Sequence, residues 1–443
     1  MVHFRARVSG LAVVIAVAGV CYVAPGCSSP FSGCEARRTC ASPSAGAAGV
    51  DESEAGSPNG AASGEGGAAG AAGPTGEGGT GGLAGAGGEA GETSEPPACV
   101  TSDDCSNGAM CNGAGECACS PRFNGKHCEF QVFRGIVVLQ GDTDSEAGNV
   151  SHDGTVVVGY SYLATQTGNL NHAVRSVNGA ALQFIAEPAG LTPSKGCIAV
   201  AVDSSGTVLL QCESKTFVYT SAGGVVAVDL SPHDGIPNDI SLDGKVIVGT
   251  TNATPQQEFR HANGTTSLLG VLEPGGTNLS TATNRDGSIV VGFDALNSEV
   301  ATRWTAATGL TALSGLSDWK DFLANDVTPD GKVIVGLAST AAAASLAVKW
   351  SGAALKPTVL GPGTADAVSG DGSMVGGTDG TYKIATLWDG AGAHAVQELL
   401  GATPDLTADW SLVSVSGISD DGKVVVGGGM HGTHREGWVA HLP

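Results

Sequence analysis

The sequence predicts an all-β chain: a seven-bladed β-propeller preceded by a small disulfide-rich module and a disordered N-terminal tether. Three observations carry this. A motif ending in Asp-Gly and followed by three apolar residues recurs from residue 151 to the C-terminus. Six cysteines crowd into residues 99–128. Residues 45–97 are almost wholly Gly, Ala, Glu, Ser, Thr and Pro.

The chain opens with Arg5 and Arg7, an apolar run from Leu11 to Ala24, and then small residues, which is the layout of a signal peptide over 1–26. No basic stop-transfer cluster follows, which argues against a permanent transmembrane helix. Ala24-Pro25-Gly26-Cys27-Ser28-Ser29 resembles a bacterial lipobox, although Pro25 departs from its pattern. The resemblance implies lipidation of Cys27 and a mature N-terminus over 27–44; the alternative is ordinary cleavage after a small residue such as Ala18. The 12 cysteines balance on the lipidation reading. Cys21 leaves with the signal peptide, Cys27 carries lipid, Cys34 and Cys40 close a small loop, six form one module, and Cys197 pairs with Cys212. No free thiol remains, as expected of an exported protein in an oxidising compartment, and other pairings of these cysteines balance as well. The expected location is the outer membrane or cell surface, or secretion.

The net charge is −22, and no Lys or Arg lies between Arg38 and Arg122. Such a chain is a poor partner for phosphate backbones or anionic lipid, so no nucleic acid is expected, and membrane contact only through a lipid anchor. The 45–97 linker has too little apolar surface to offset backbone ordering. As a Gly-rich coil it reaches on the order of 40 Å, enough to hold the following domains off a membrane.

The module over 98–130 has cysteines at 99, 105, 111, 117, 119 and 128. Its ending, Cys117-x-Cys119-x5-Gly125-x2-Cys128 with Phe123 before the glycine, resembles the EGF-like signature. That resemblance implies the pairs Cys99–Cys111, Cys105–Cys117 and Cys119–Cys128. A domain this small relies on its crosslinks for stability. Calcium-binding members carry acidic and amide residues before the first cysteine; here that stretch is Ser94-Glu95-Pro96-Pro97-Ala98, so no calcium is expected. The module reads as a rigid spacer or as a protein-binding face.

From 131 to 443 the signal is repetition. The turn glycines are Gly154, Gly206, Gly244, Gly287, Gly331, Gly372 and Gly422. Four residues before each stands Val150, Val202, Ile240, Thr283, Val327, Val368 or Ile418, a β-branched strand end. In six of the seven the glycine follows Asp, and Asp-Gly reads as a type I turn with glycine in the left-handed region. The next strand is continuously apolar, as in Val333-Ile334-Val335, so both its faces are buried. A third strand recurs as HAVRS, ATRWT, AVKWS and ATLWD, and a fourth as Gly309-Leu310-Thr311-Ala312-Leu313. Four strands per repeat is propeller arithmetic. The last repeat lacks its fourth strand, and 133–141 supplies a lone one, so the first segment is expected to complete the last blade. Cys197 and Cys212 flank one turn. A two-residue turn sets them opposite each other; a bulged three-residue turn puts them on opposite faces. These repeats resemble the bacterial extracellular HAF-repeat family, with His172-Ala173-Val174 nearest its namesake triplet. The resemblance implies a surface or secreted location and no established catalysis.

Candidate sites are few. Asp153, Asp243, Asp286, Asp330, Asp371 and Asp421 invite a metal reading, but their Asp-Gly turns explain them. Trp304, Trp350, Trp388 and Trp438 recur at one strand position and read as packing. Trp319 and Trp410 lie 12 residues before their turn glycines in polar settings; they read either as buried packing residues or, if exposed, as candidates for ligand binding by stacking on a sugar or peptide. His431, His434 and Glu436 suggest a metal, but the glycine-containing loop between the histidines gives no fixed ligand geometry. The run Asp142, Asp144, Glu146 suggests a cation. No catalytic motif is present, so no catalytic residue, metal or cofactor is assigned. The expected function is non-enzymatic binding by a monomer, with a surface polysaccharide or protein as partner. The alternatives are an extracellular carbohydrate-active hydrolase or lyase using a central pocket, with carboxylates paired across the fold, and a structural envelope protein.

Overall fold

The computed structural model describes residues 98–442, apart from 166–167, 192–195, 296–297, 318, 340–343 and 401–405. The expected signal segment, Cys27, the Cys34–Cys40 loop and the 45–97 linker lie outside the described residues.

Among the described residues the chain is almost all β: five four-stranded antiparallel sheets and one of seven strands, arranged like propeller blades behind a disulfide-bonded N-terminal cluster. The first strands of successive repeats are Asp144–Val150, Cys197–Val202, Gly235–Ile240, Thr277–Thr283, Asp321–Val327, Lys356–Val368 and Trp410–Ile418, and the repeats are numbered in that order. The strand Lys356–Val368 serves twice. Its first half pairs with Ser345–Ser351 to finish the fifth repeat, and its second half pairs with Val375–Asp379 to begin the sixth. Gly363, at φ +130, occupies the junction, a conformation open to glycine. This continuity merges two four-stranded units into the seven-stranded sheet, which the repeat pattern does not announce. The seventh sheet takes its fourth strand, Phe133–Ile136, from the N-terminal side, paired with His434–His441. Each first strand contacts the next, and Trp410–Ile418 contacts Asp144–Val150.

All seven first strands end on the expected β-branched residue, from Val150 to Ile418. The turn glycines have φ between +68 and +81. Around them a side-chain network repeats. In the fifth repeat, Thr328 Oγ1 accepts the Val333 N–H at 3.1 Å and donates to Asp330 Oδ1 at 2.8 Å. Asp330 Oδ1 also accepts the Lys332 N–H at 3.0 Å. Ser151, Ser241, Ser369 and Ser419 do the same in their turns.

One feature recurs in every sheet that the sequence pattern hides. The register shifts two residues before the strand end, leaving Gly148, Val200, Asn238, Thr281, Asn325, Asp366 and Ser416 as bulged residues. A bulge frees a side chain from the pleat. Four of these reach the next repeat: Asn238 Nδ2 donates to Ser280 O (2.6 Å), Thr281 Oγ1 to Ala324 O (2.6 Å), Asn325 Nδ2 to Ala365 O (2.9 Å) and Ser416 Oγ to Ala147 O (2.6 Å). The last of these joins the seventh sheet to the first. The same bulge settles the Cys197–Cys212 geometry. Val202 pairs with Val208 at the turn, the bulge at Val200 shifts the register by one, and Cys197 then stands opposite Cys212 and is bonded to it.

The tryptophan row needs one correction. Trp304, Trp350 and Trp388 pair with Val290, Ile334 and Val375, each three residues past its turn glycine. Trp438 pairs with Gly427, five residues past, so it stands two residues away along its strand. It keeps the same face, where Gly427 leaves room for the indole.

In the N-terminal cluster the disulfides are Cys99–Cys111, Cys105–Cys117 and Cys119–Cys128, the pairing that the EGF-like resemblance implies. The cluster docks on the C-terminal strand. Phe130 stacks on His441 with centroids 5.1 Å apart, and Asn124 Nδ2 donates to His441 O at 2.9 Å.

Candidate functional site

The first strands of the seven repeats converge on one place, and that is the first place to look for a ligand. Here Val150, Val202, Ile240, Thr283, Val327, Val368 and Ile418, one from each repeat, line a single cavity of about 30 Å³ together with Asn149, His152, Asp239, Asp326 and Asp420. All seven are buried. They form a collar, aliphatic except for Thr283, with room for about one water. The acids and amides beside it are engaged by backbone. Asp239 Oδ2 accepts the Thr283 N–H and Asp326 Oδ2 the Val368 N–H, both at 2.9 Å and both from one repeat to the next. Asn149 Oδ1 accepts the Val150 N–H at 2.7 Å. Asp420 holds His152 Nδ1 at 2.6 Å across the seam from the seventh sheet to the first. Outside the collar the turns are linked: the N–H groups of Ser204, Arg285, Gly370 and Asp420 donate to Leu242, Pro329, Asp420 and His152 carbonyls respectively. Pro329 has no N–H with which to continue the series.

The repeated aspartates are turn residues. Hydrogen bonds from the Lys332 side chain and backbone hold the Asp330 carboxyl down at about 2, and the Ser241 hydroxyl and Lys245 lower Asp243. The run 142–146 is likewise engaged: Asp142 Oδ2 meets His172 Nδ1 at 2.9 Å, Asp144 Oδ1 accepts the Arg435 N–H at 2.8 Å, and Glu146 pairs with Arg435 at 2.9 Å. Two of these contacts fasten the first sheet to the seventh.

The two carboxyls most shifted from their ordinary values lie between sheets, away from the axial cavity. Burial pushes Glu258 up to about 8, against a small opposing hydrogen bond from Thr302, and Asp294 adds to the rise. Its Oε2 has no hydrogen-bond partner. Burial, then the neighbouring Asp321, raises Glu299 to about 7. Perturbed acids often mark active sites, but these two are enclosed. The sulfurs of Cys99, Cys105 and Cys117 also cluster, because two disulfides lie side by side; bonded sulfurs are not thiolate ligands.

Trp319 and Trp410 are both half-buried. Trp319 packs on the core of the fourth and fifth sheets with Leu313, Leu316 and Phe322. Trp410 differs. It meets Phe133 edge-on and stacks flat on His431, with centroids 4.5 Å and planes 10° apart. His431 Nδ1 lies 2.7 Å from Glu436 Oε2. Gly135 makes this possible, since a side chain there would collide with Trp410 and Glu436. The loop between the histidines is not free, contrary to expectation. His431 pairs directly with His434 across the two-residue turn Gly432-Thr433, with Gly432 at φ +59. This is a hairpin of fixed geometry. Trp410, His431 and His434 therefore form one cross-strand row. The sequence shows these residues close together but not that they share a face, because Trp410 comes from another strand.

A further cleft, of about 540 Å³, lies between residues 131–140 and 179–182, with Arg134 in its wall. Arg134 Nη2 donates to Ser176 Oγ at 2.9 Å.

No family model matches the sequence, and no curated protein matches it. Among solved structures, the chain is similar to an oligogalacturonate lyase from Vibrio parahaemolyticus at 8% identity and TM-score 0.49, over 70% of this chain and 96% of that one. It is similar to the Cps50 β-propeller domain of Myceliophteria thermophila at 9% identity and TM-score 0.45, over 70% and 100%. It is similar to TolB from Acinetobacter baumannii at 11% identity and TM-score 0.39, over 66% of this chain and 65% of that one. Likeness at this level carries no activity or partner to the chain.

Proposed function

We propose that the seven repeats close into a seven-bladed propeller and that the chain is a surface-displayed, non-enzymatic binding protein for a polysaccharide or protein partner. The observation that carries this is the filled axis. A propeller hydrolase or lyase needs carboxylates or bases converging on a substrate-sized axial pocket. Here the collar leaves about 30 Å³, and the adjacent Asp239 and Asp326 accept backbone N–H groups. Ring closure is supported by the bonds from Ser416 to Ala147 and from Asp420 to His152, which run from the last repeat to the first. Export is supported by the four disulfides of the described residues, which suit an oxidising compartment. On this reading the 98–130 module and the docked strand at 133–136 set the propeller at the end of the tether.

The test is an array of glycans, peptidoglycan fragments and surface proteins probed with the full-length chain, followed by analysis of the products. Retention without shortened products is expected. Release of oligosaccharides overturns the non-enzymatic reading, and retention on nothing overturns the binding reading. For the anchor, metabolic labelling with a fatty-acid probe is expected to disappear in Cys27→Ala; persistent labelling overturns it.

A further inference from the structure

Four described histidines have a ring nitrogen held by a carboxylate: His152 by Asp420, His172 by Asp142, His394 by Asp389 and His431 by Glu436. Only His431 has a second histidine directly opposite it on a paired strand among the described residues. Directly opposed residues of an antiparallel pair have Cβ atoms about 4.5–5.5 Å apart on the same face. Two imidazoles so placed can converge on one ion at metal–nitrogen distances of about 2.0–2.1 Å.

We propose that the end of the seventh sheet binds an imidazole-preferring divalent transition-metal ion, Cu²⁺ or Zn²⁺, through Nε2 of His431 and a ring nitrogen of His434. Glu436 does for His431 what an orienting carboxylate does at metal sites: it accepts the Nδ1 proton, fixes the tautomer and leaves Nε2 as the basic atom. Trp410 clamps the ring from below at 4.5 Å, and Gly135 makes space for both supports. The support is buried while the donor is presented: the Glu436 side chain is 13% exposed and that of His431 44%. The turn fixes the spacing of the two histidines without a further side chain. Imidazole donors favour Cu²⁺ and Zn²⁺ over Ca²⁺ and Mg²⁺, with Cu²⁺ the tighter of the pair. Two protein ligands leave positions open, so the ion presents coordination sites to water or to a donor group on a partner. The chain's net charge of −22 raises the local concentration of cations.

The stacked indole supplies the readout. The untagged full-length chain is titrated with CuCl₂ while tryptophan emission is followed, and calorimetry with ZnCl₂ gives the stoichiometry. Saturable quenching with one ion per chain is expected. H431A and H434A each abolish it, and E436Q weakens binding by about 10- to 100-fold. W410F removes the quenching of that indole while calorimetric binding persists, which separates the site from its reporter. Both histidines are exposed, so neither substitution opens the core. Electron paramagnetic resonance of the Cu²⁺ form should show nitrogen coupling from two imidazoles. The proposal is overturned if H434A binds as the unaltered chain does, if E436Q leaves the affinity unchanged, or if a single imidazole couples to the copper.

Discussion

The turn end of the repeats and the far end of the seventh repeat's sheet contrast in what repeats. At the turn end every repeat contributes the same kind of residue to the same place: a β-branched collar residue, a bulge before it, a left-handed glycine after it, and in five of them a Ser or Thr holding an Asp. At the far end of the seventh repeat's sheet His431, His434 and Glu436 have no counterparts in the other repeats, and they gather around Trp410, whose counterpart Trp319 packs on the core instead. Repetition marks what the seven repeats need in order to pack against one another. A cluster of chemically capable side chains in one repeat alone has no such explanation and is where ligand chemistry should be sought.

The sharpest way to break this contrast is to compare two tryptophans. Trp350, in the repeated row, is fully buried and donates Nε1–H to Ser314 O at 2.7 Å. Trp350→Ala should cost about 3–5 kcal/mol, through lost burial and a cavity. Trp410, half-buried at the sheet end, should cost less than half as much on the same substitution. Urea denaturation of both variants measures this, and equal losses would erase the distinction.

Next in size is the Cys197–Cys212 bond, which closes a loop with a sequence separation of 15. Replacing both cysteines with Ala should lower stability by about 3 kcal/mol. Most of that should appear as a lower denaturation midpoint under non-reducing conditions, and a shift below ~1 kcal/mol would show that the sheet ladder alone fixes this repeat.

Glu258 tests a seam between repeats. Its folded-state value stands near 8 against an ordinary 4.5. Between those limits the folded chain holds a proton that the unfolded chain has released. Its contribution is fully present below pH about 4.5 and is lost as pH rises through 8, at about 1.4 kcal/mol per pH unit. Over pH 5.5–7 the unaltered chain should lose about 2 kcal/mol relative to Glu258→Gln. Parallel stability–pH curves for the two proteins would refute the burial argument.

Much of this architecture is legible in the sequence because it rests on local chemistry. Asp-Gly turns, β-branched strand ends and apolar second strands need only neighbours in the chain. The disulfides of 99–128 follow from a spacing that resembles a known module. What was not legible depends on contacts between repeats. The bulge residues Asn238, Thr281, Asn325 and Ser416 each bond a carbonyl on the next repeat, about 40 residues away for the first three and at the other end of the domain for Ser416. The double use of Lys356–Val368 follows from omitting a loop, while the periodicity remains intact. Trp438 stands two residues out of the row, opposite Gly427, a shift that only the strand pairing reveals. The row of Trp410, His431 and His434 needs the register of three strands before its members meet.

The smallest effect bears on the residues that looked most like a site. Asp330 accepts from Thr328 Oγ1, Lys332 N–H and Lys332 Nζ, and its carboxyl sits near 2 against an ordinary 3.8. Its contribution is present above pH 3.8 and is lost as pH falls through 2. The side chain is 51% exposed, so solvent screens the pair, and Asp330→Ala should cost only about 0.5–1 kcal/mol at pH 7. If the aspartate serves the turn alone, millimolar Ca²⁺ leaves the melting temperature of both proteins unchanged. A Ca²⁺-dependent rise in the unaltered chain that Asp330→Ala abolishes would make the turn a cation site after all, and would place ligand chemistry in the repeated part of the molecule.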